Sequence, residues 1–541
     1  MREENVNEYG PLRGISVPGR GAAVSVPEWL RRSVRWYADK EAVIDGARRF
    51  TYQQFNERVN RQANGLSARG IAKGERVAVV LRNSVEAMES FGAAAKAGFV
   101  HVPINFRLSR REVGDILQHS GSRVFIVHRE FASLLDLAAE CPDLEHVIVV
   151  DDGESGSDYE RWLAEQSAQE PTADIVAEDN FFIVYTSGTT GAAKGAFYQH
   201  RQPAAHAPVP VLGYDMRHDS RILLVYPHNS IASLNVVYVP AWMLGATVVL
   251  TDVRQFSAER WLDTVVREKV THCHLVPTML FRVLEHPKVR EVDLSSLQTI
   301  GYGSAPMPQE RIERLHEVFG SVLMQAYGMT EVSSITTIFS KQDHVEALKG
   351  NPERLRACGR PAFGCELRVV TDAGREVTPG EIGEIVFRGP ILMSGYWNDP
   401  ERTAETIRDG WLHSGDLATV DADGFIYIVD RKKDLIISGG ANIASSEVEN
   451  VIYWHEAVRE AAVVGRPDDE WGERVHAFVS LHEGKSMAPE ELIAFCRERF
   501  AHYKCPSRID ILPDLPKNAL GKILKSDMRA TLWRGRSRAV N

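Results

Sequence analysis

Apolar residues along this chain follow two periods. Short β-rich runs at 77–81, 124–127, 147–150 and 181–185 alternate with stretches whose apolar positions recur every three or four residues. The clearest helical stretch, 52–67, follows a strand-like 50–52 and lines up Phe55, Val59, Ala63 and Leu66 on one face. A helix of small residues is predicted at 87–97. Beyond 195 the alternation resumes, with strands at 221–225, 246–250, 272–276, 297–300 and 322–325, a helix at 257–269 and another opened by Pro277. Strands alternating with helices imply parallel sheets joined by right-handed crossovers. Ligands of such sheets bind at the carboxyl ends of strands. The loops 185–195, 226–229, 301–306 and 327–331 all follow strands and are predicted to line one crevice.

From about 362 the pattern turns to short strands and turns, at 366–370, 384–387 and 425–429, with Asp423-Gly424 as a hairpin signal. The charged cluster 430–434 interrupts the apolar pattern and marks a boundary. The roughly one hundred residues after it suit a small domain, opening on a strand at 435–438, a Gly pair and a helix from Ser446. The predicted organisation is an extended lead-in at 1–25, a large domain at 26–431 and a small domain at 434–541.

Composition narrows the function. The 541 residues are 44% hydrophobic and 25% charged, which is ordinary globular material. A net charge of -10 without a basic domain argues against a nucleic-acid binder. The six cysteines, at 141, 273, 358, 365, 496 and 505, form no Cys-x-x-Cys pair, so neither zinc nor a disulfide framework is indicated and a reducing, cytoplasmic setting is expected. No signal-peptide pattern opens the chain. The most apolar region, 236–250, is broken by Pro240, Gly245 and Thr247, and reads as a buried helix plus strand rather than an integral membrane segment. The arginine-bearing end, 534–541, reads as a solvated tail.

The stretch 185–195 carries the first candidate chemistry. An apolar strand runs into Thr186, Ser187, Gly188, Thr189, Thr190 and Gly191, then Lys194 and Gly195. Glycines let the backbone curl so that successive N–H groups converge on an anion, while the hydroxyls donate and Lys194 supplies charge. A flexible linker has the same composition, but the entering strand and the lysine favour a polyphosphate cradle. No Walker string, Gly-x4-Gly-Lys-[Ser/Thr], is present.

Six motifs in order then resemble the adenylate-forming acyl-CoA synthetase superfamily. They are the loop 185–195, Tyr327-Gly328-Met329-Thr330-Glu331, Gly383-Glu384-Ile385 through Gly389-Pro390, Ser414-Gly415-Asp416, Arg431-Lys432-Lys433-Asp434 through Gly439-Gly440, and Pro516-Lys517-Asn518-Ala519-Leu520-Gly521-Lys522. The resemblance spans 26–525 and implies an α/β fold: a large N-terminal domain of parallel sheets with a small β-barrel-like subdomain, hinged to a small α+β C-terminal domain. It implies that a carboxylate attacks the α-phosphorus of ATP, giving an acyl-adenylate and pyrophosphate, and that CoA then displaces AMP.

Roles follow from the resemblance. The loop 185–195 holds the β- and γ-phosphates, Thr330 the α-phosphate, and Glu331 a Mg²⁺ ion. Tyr327, beside Gly328, stacks on adenine, walled by Gly303-Ser304-Ala305-Pro306. Asp416 takes the ribose hydroxyls and Arg431 the ribose or phosphate. Lys522 is the catalytic lysine, bridging carboxylate and α-phosphate. Lys433 is the hinge of a rotating small domain, which brings Ser438, Gly439, Gly440 and Trp471 to the CoA channel. Tyr226, His228, Tyr302 and Gly303 line the acyl pocket, with Trp242 a further aromatic nearby; His228 reads equally as a residue beside the acyl carboxylate or as a core histidine.

Several positions depart from the pattern. Ala193 and Ala196 stand where the family has Pro and Val, which implies a looser loop. Asn229 and Ser230 are polar for an alkyl tunnel. A basic residue that some members use on the CoA phosphate is replaced by Ser507, with Lys504 as its substitute. The expected substrates are ATP, CoA and a fatty or aryl carboxylic acid. Transfer to an amine or a carrier-protein thiol, and a non-catalytic nucleotide- or acyl-binding regulator, stand as alternatives. The oligomeric state is open, a homodimer included.

Overall fold

The computed structural model describes residues 25–151, 157–186, 194–252, 254, 256–305, 307–499, 501–517 and 523–534. Two large sheets form the body. In the first, six parallel strands run in the order Leu323–Tyr327, Thr299–Gly303, His272–Leu275, Arg221–Leu224, Thr247–Leu250 and Glu41–Asp45. Antiparallel strands close its edges: Thr337–Phe339 and Arg360–Pro361 on one side, Arg48–Thr51 on the other. The second sheet has seven strands. Asn180–Thr186, Val100–Pro103, Arg76–Val80, Ser122–His128 and His146–Val150 are parallel, and Lys194–Gln199 and Gly395–Tyr396 add on antiparallel.

Helix Val85–Ala97 packs at the centre of this body. Every one of its residues is buried, so its small side chains are what permits close approach on all sides. Ser84 caps its first turn, and Gly98, at φ 77°, ends it in the left-handed conformation that glycine adopts without strain. Its one cation, Lys96, is fully buried and donates to Asn60 and to Glu170 at 2.8 Å. Burial lowers its pKa to about 8, against the pull of Glu170.

The third sheet is antiparallel. Glu366–Val370, Gly383–Arg388, Trp411–Val420 and Ile407–Arg408 lie in that order, and Ile426–Arg431 pairs with Trp411–Val420. This antiparallel unit of five strands is the small β subdomain that was expected, with no pairing between its end strands among the described residues. The fourth sheet is built only from residues beyond 434: Ala441–Ile443, Ile436–Ser438, Gly472–Leu481 and Val458–Asp468, with Arg508–Ile511 parallel to Gly472–Leu481. It has its own hydrophobic core, around Ile436, Val448, Val463, Ala477 and Leu492.

The four expected loops do not all belong to one sheet. Three lie at strand ends of the first. The stretch 185–195 instead joins two antiparallel strands of the second, with Thr186 paired to Lys194. The described ends of the stretch are therefore neighbouring antiparallel strands. The cysteines are free, as expected. Region 236–250 is a buried π-helix Ser233–Tyr238, helix Val239–Leu244 and strand Thr247–Leu250. No helix among the described residues is long and apolar enough to cross a membrane.

Candidate active site

The turn 327–334 is the centre of the site, and its backbone explains its sequence. A Cβ on Gly328 would sit 1.6 Å from the Ser334 carbonyl oxygen, so only glycine fits there. Ser333 and Ser334 have φ of 63° and 112°, conformations that non-glycine residues seldom hold and that concentrate at functional sites. Surrounding groups hold the strain in place. The Tyr198 hydroxyl donates to the Thr330 carbonyl. The Ser333 hydroxyl donates to the Ile391 carbonyl at 2.5 Å, and the Met393 N–H to the Glu331 carbonyl at 2.9 Å.

On one side of this turn is a carboxylate–guanidinium pair. Asp416 and Arg431 face each other across adjacent antiparallel strands, with Arg431 Nε 3.1 Å from Asp416 Oδ1. The Tyr327 hydroxyl donates to Asp416 Oδ2 at 2.7 Å. Asp416 is almost completely buried, and its own N–H donates to the Ser414 hydroxyl at 3.0 Å. Residues more than eighty positions apart thus form one polar unit.

On the other side are Glu331, Tyr396 and Lys194. The Tyr396 hydroxyl donates to Glu331 Oε1 at 2.8 Å, and the Lys194 ammonium lies 5.6 Å from the centre of the Tyr396 ring. Burial, then the neighbouring Glu331 carboxylate, pushes the Tyr396 phenol well above its ordinary pKa, so it stays a donor. The stretch 185–195 is pinned at both described ends. Tyr185 Oη is 2.8 Å from His119 Nδ1, and the Trp397 N–H donates to the Gly195 carbonyl at 2.7 Å. Ala196 is fully buried and paired with Val184 on one side and Tyr396 on the other. Residues Ser187, Gly188, Thr189, Thr190, Gly191 and Ala193 lie outside the described residues, as do Pro306 and Lys522.

Cations gather where the domains meet. Lys433 is held below its usual pKa first by burial, then by Arg431, with Arg529 and Lys194 adding to the effect. A cluster of positive charge that repels itself is a site that gains from an anion. The linker is tied on both sides of Lys433. The Lys432 N–H donates to the Gly415 carbonyl at 2.8 Å; Asp430 accepts from the Ser445 hydroxyl at 2.7 Å, and Asp434 pairs with Arg529. Ser438, Gly439, Gly440 and Trp471 come together in the small domain. Ser438 pairs with Gly472, the Gly439 N–H donates to the Trp471 carbonyl at 2.8 Å, and a Cβ on Gly439 would meet the indole at 2.4 Å. Lys504 is held by Glu447 at 2.8 Å, and the guanidinium beside Ser507 is that of Arg466, 3.2 Å from its hydroxyl.

Two expected acyl-pocket residues point elsewhere. Tyr302 lies between Gly301 and Gly303 on one strand, so its side chain leaves by the opposite face. It is fully buried, with its hydroxyl 2.8 Å from His344 Nε2, in the core behind the sheet. His228 is also fully buried, beside Leu81 and His101 of the second sheet, and burial lowers its pKa to about 4. Both its ring nitrogens lack a hydrogen-bond partner. Trp242 is in the core, stacked on Phe91. Tyr226 and Gly303 do share one wall, with Ser304 turning next to them at φ 67°. Between the domains lies a cavity of about 170 Å³, lined by Tyr226, Pro227, Met279 and Arg282 of the large domain and by Glu460 and Lys517 of the small one.

Residues 30–397 match the family described as AMP-binding enzyme, and residues 447–522 its C-terminal domain. The chain belongs to the AMP-binding enzyme family. Within it, the chain is an adenylate-forming ligase of the acyl-CoA synthetase type, which activates a carboxylic acid with ATP and transfers it to CoA. A feruloyl-CoA synthase of Amycolatopsis is 38% identical over 501 residues, 93% of this chain and 98% of the relative. A long-chain-fatty-acid–CoA ligase of Mycobacterium tuberculosis is 35% identical over 89% of this chain and 93% of its own. Among solved structures, an anthranilate CoA ligase in complex with anthranoyl-AMP superposes with a TM-score of 0.86 at 29% identity, covering 94% of this chain and 97% of that one.

Tyr396, Tyr198, His119 and Tyr185 were not singled out from sequence. Tyr396 follows the Gly389-Pro390 motif closely, and an aromatic beside a glycine there is the signal that was available.

Proposed function

We propose that the turn 327–334 divides the site into a ribose side and a metal–phosphate side, and that this division organises the first half-reaction. The observation that carries the reading is the convergence on one strained turn of Tyr327–Asp416–Arg431 on one flank and Glu331–Tyr396–Lys194 on the other. Asp416, almost sheltered from water, accepts from the ribose hydroxyls, and Tyr327 and Arg431 keep it oriented. Tyr327 and the wall 303–306 sandwich the base. Thr330 donates to the α-phosphate, Arg431 supports ribose or phosphate, and Lys194 with the hydroxyls of 186–190 neutralises the β- and γ-phosphates.

A magnesium ion fits the donors. No group of three or more His, Cys, Asp or Glu converges among the described residues, so the protein offers no closed cage. A single carboxylate suits Mg²⁺, which keeps several waters and phosphate oxygens. Glu331 would be that carboxylate, oriented by the Tyr396 hydroxyl on its Oε1. When bound, Mg²⁺ draws charge from the phosphates and makes pyrophosphate a better leaving group.

With ATP so held, the acid's carboxylate oxygen attacks the α-phosphorus and the bond to pyrophosphate breaks. Lys522, from the small domain, stabilises the charge passing between them. Rotation about Lys433 then carries Lys522 away and brings the Ser438–Gly440 segment, with Trp471, to the acyl-adenylate. The CoA thiolate attacks the acyl carbonyl and AMP leaves.

The test is acid-dependent ATP–pyrophosphate exchange against thioester formation. Lys522→Ala lowers exchange by about 10²–10³-fold while ATP binding persists, and Gly440→Leu spares exchange but slows thioester formation. Equal loss of both steps in Gly440→Leu refutes the division of labour. AMP release that needs an amine and ignores CoA moves the acceptor assignment to an amide-forming ligase.

A further inference from the structure

Strand Thr299–Gly303 turns two glycines, not two side chains, towards the acyl side, and each space is taken by something specific. A Cβ on Gly301 would lie 2.4 Å from a Tyr214 ring carbon and 2.5 Å from its hydroxyl oxygen. A Cβ on Gly303 would lie 2.2 Å from the Ala326 carbonyl oxygen and 3.6 Å from His274 Nε2. Tyr214 therefore lies where an open channel between sheet and helices would run. His274, opposite Gly301 in the adjacent parallel strand, presents one ring nitrogen to the cleft.

The rings form a wall. The Tyr214 hydroxyl is hydrogen-bonded to His274 Nδ1, and Tyr226 packs on His274 with centroids 5.4 Å apart. Nδ1 is engaged, whereas Nε2 makes no hydrogen bond among the described residues. The buried Tyr226 hydroxyl makes no well-formed hydrogen bond either, with the Ser304 side chain as its polar neighbour. A buried polar atom without a partner costs about 1–3 kcal/mol unless a ligand satisfies it. His274 is half-buried even though dense packing surrounds it, as expected of a group lining a deep pocket; burial lowers its pKa to about 3, so the ring is neutral. Beyond the rings, among Val236, Val237 and Met216, only about 10 Å³ remains, at most one water. No Lys, Arg, Asp or Glu lines that space.

We propose that Tyr214, His274 and Tyr226 form a short polar-ended floor of the acyl pocket, selecting a flat aryl or arylalkenyl acid with an uncharged hydrogen-bonding substituent. The proposal rests on the acyl-CoA ligase reading and adds its substrate class. A phenolic hydroxyl meets His274 Nε2 and the Tyr226 hydroxyl as donor and acceptor at once. A long alkyl chain must displace Tyr214 from the Gly301 space. A second carboxylate arrives without a counter-charge and pays its desolvation.

The experiment measures CoA-dependent AMP release from ATP with 4-hydroxycinnamic, cinnamic and dodecanoic acids, in wild type, His274→Leu and Tyr214→Phe. Wild type prefers the hydroxylated acid to cinnamic acid by at least about tenfold in kcat/KM, with dodecanoic acid last. His274→Leu shrinks that ratio to about threefold or less, by losing the hydroxylated acid rather than cinnamic acid. Tyr214→Phe, which frees Nδ1 but keeps the ring, lowers the ratio in the same direction while dodecanoic acid stays excluded. A wild type that prefers dodecanoic or cinnamic acid overturns the proposal, as does a ratio that His274→Leu leaves unchanged. If His274→Leu is inactive with every acid, Tyr214→Phe decides, and an unmoved ratio there overturns it. A wild type that turns over other acids but none of these three refutes the floor alone; one that turns over no carboxylic acid refutes the ligase reading with it.

Discussion

The nucleotide side and the acyl side of this site are built on opposite principles. Around the nucleotide, side chains are already bonded to one another. Tyr327 donates to Asp416, Arg431 pairs with it, Tyr396 holds Glu331, and Tyr198 holds the Thr330 backbone. On the acyl side, neither the buried Tyr226 hydroxyl nor His274 Nε2 makes a hydrogen bond among the described residues. ATP is the same for every member of the family, so its site can be rigid before binding. The acid differs between members, and its site keeps open valences that only the right substrate fills. Pre-organisation serves catalysis in the first region and unfilled hydrogen bonds serve selection in the second.

The largest test of this contrast is Lys522→Ala, with an expected loss of about 10²–10³-fold in exchange rate, as for removal of one group that stabilises transition-state charge. Its effect must be the same for every acid; an acid-dependent loss breaks the contrast. Asp416→Ala is expected to cost about tenfold to a hundredfold in kcat/KM for ATP, because it removes the ribose acceptor and strands Tyr327 and Arg431 together. Isothermal titration with ATP reads this directly. Gly328→Ala drives a Cβ into the Ser334 carbonyl, so exchange falls and thermal unfolding moves down by several degrees, on the order of a loss of 2–4 kcal/mol. Tyr396→Phe leaves Glu331 without its orienting donor and raises the Mg²⁺ concentration for half-maximal activity by about threefold to tenfold, with acid preference untouched.

A further effect is set by pH and is read on stability rather than on activity. His200, His206, His228, His272 and His344 are almost fully buried, and burial holds each at about 3 to 4. Their folded pKa values lie below the unfolded value of about 6.5. The unfolded chain therefore binds more protons between about pH 4 and 6.5, and stability falls as pH drops through that window, by at most about 1.4 kcal/mol per histidine per unit. Calorimetric melting at pH 7.5 and 5.5 checks the direction. An unchanged melting temperature contradicts the neutral, buried state assigned to His228.

Much of this was legible beforehand because it is local. The helical face of 52–67, the parallel strands and the change of texture at 362 follow from short-range periodicity and turn residues. Gly328 and the Tyr-Gly-Met-Thr-Glu string announced a special backbone. The rest was not. Tyr302 was placed in the pocket because the motif around it lies there, yet strand alternation sends its side chain to the other face. The loop 185–195 follows a strand, as its sequence predicts, but that strand belongs to the second sheet and its partner is antiparallel, which nothing in the Gly and Thr spacing announces.

The class of chemistry is written locally: six motifs, in order along one chain, resemble those for ATP, a metal-binding carboxylate, a ribose acceptor and a mobile lysine. Which groups stand beside them follows from packing alone. Tyr396 with Glu331, Tyr214 with His274, and Tyr226 with His274 are separated by between 48 and 65 positions, or by a change of sheet. Pairs of that kind arise when strands and helices pack, and no periodicity of 2 or 3.6 residues encodes them. Binding of the common substrate was written in the motifs, while selection of the acid lies in contacts that exist only after folding.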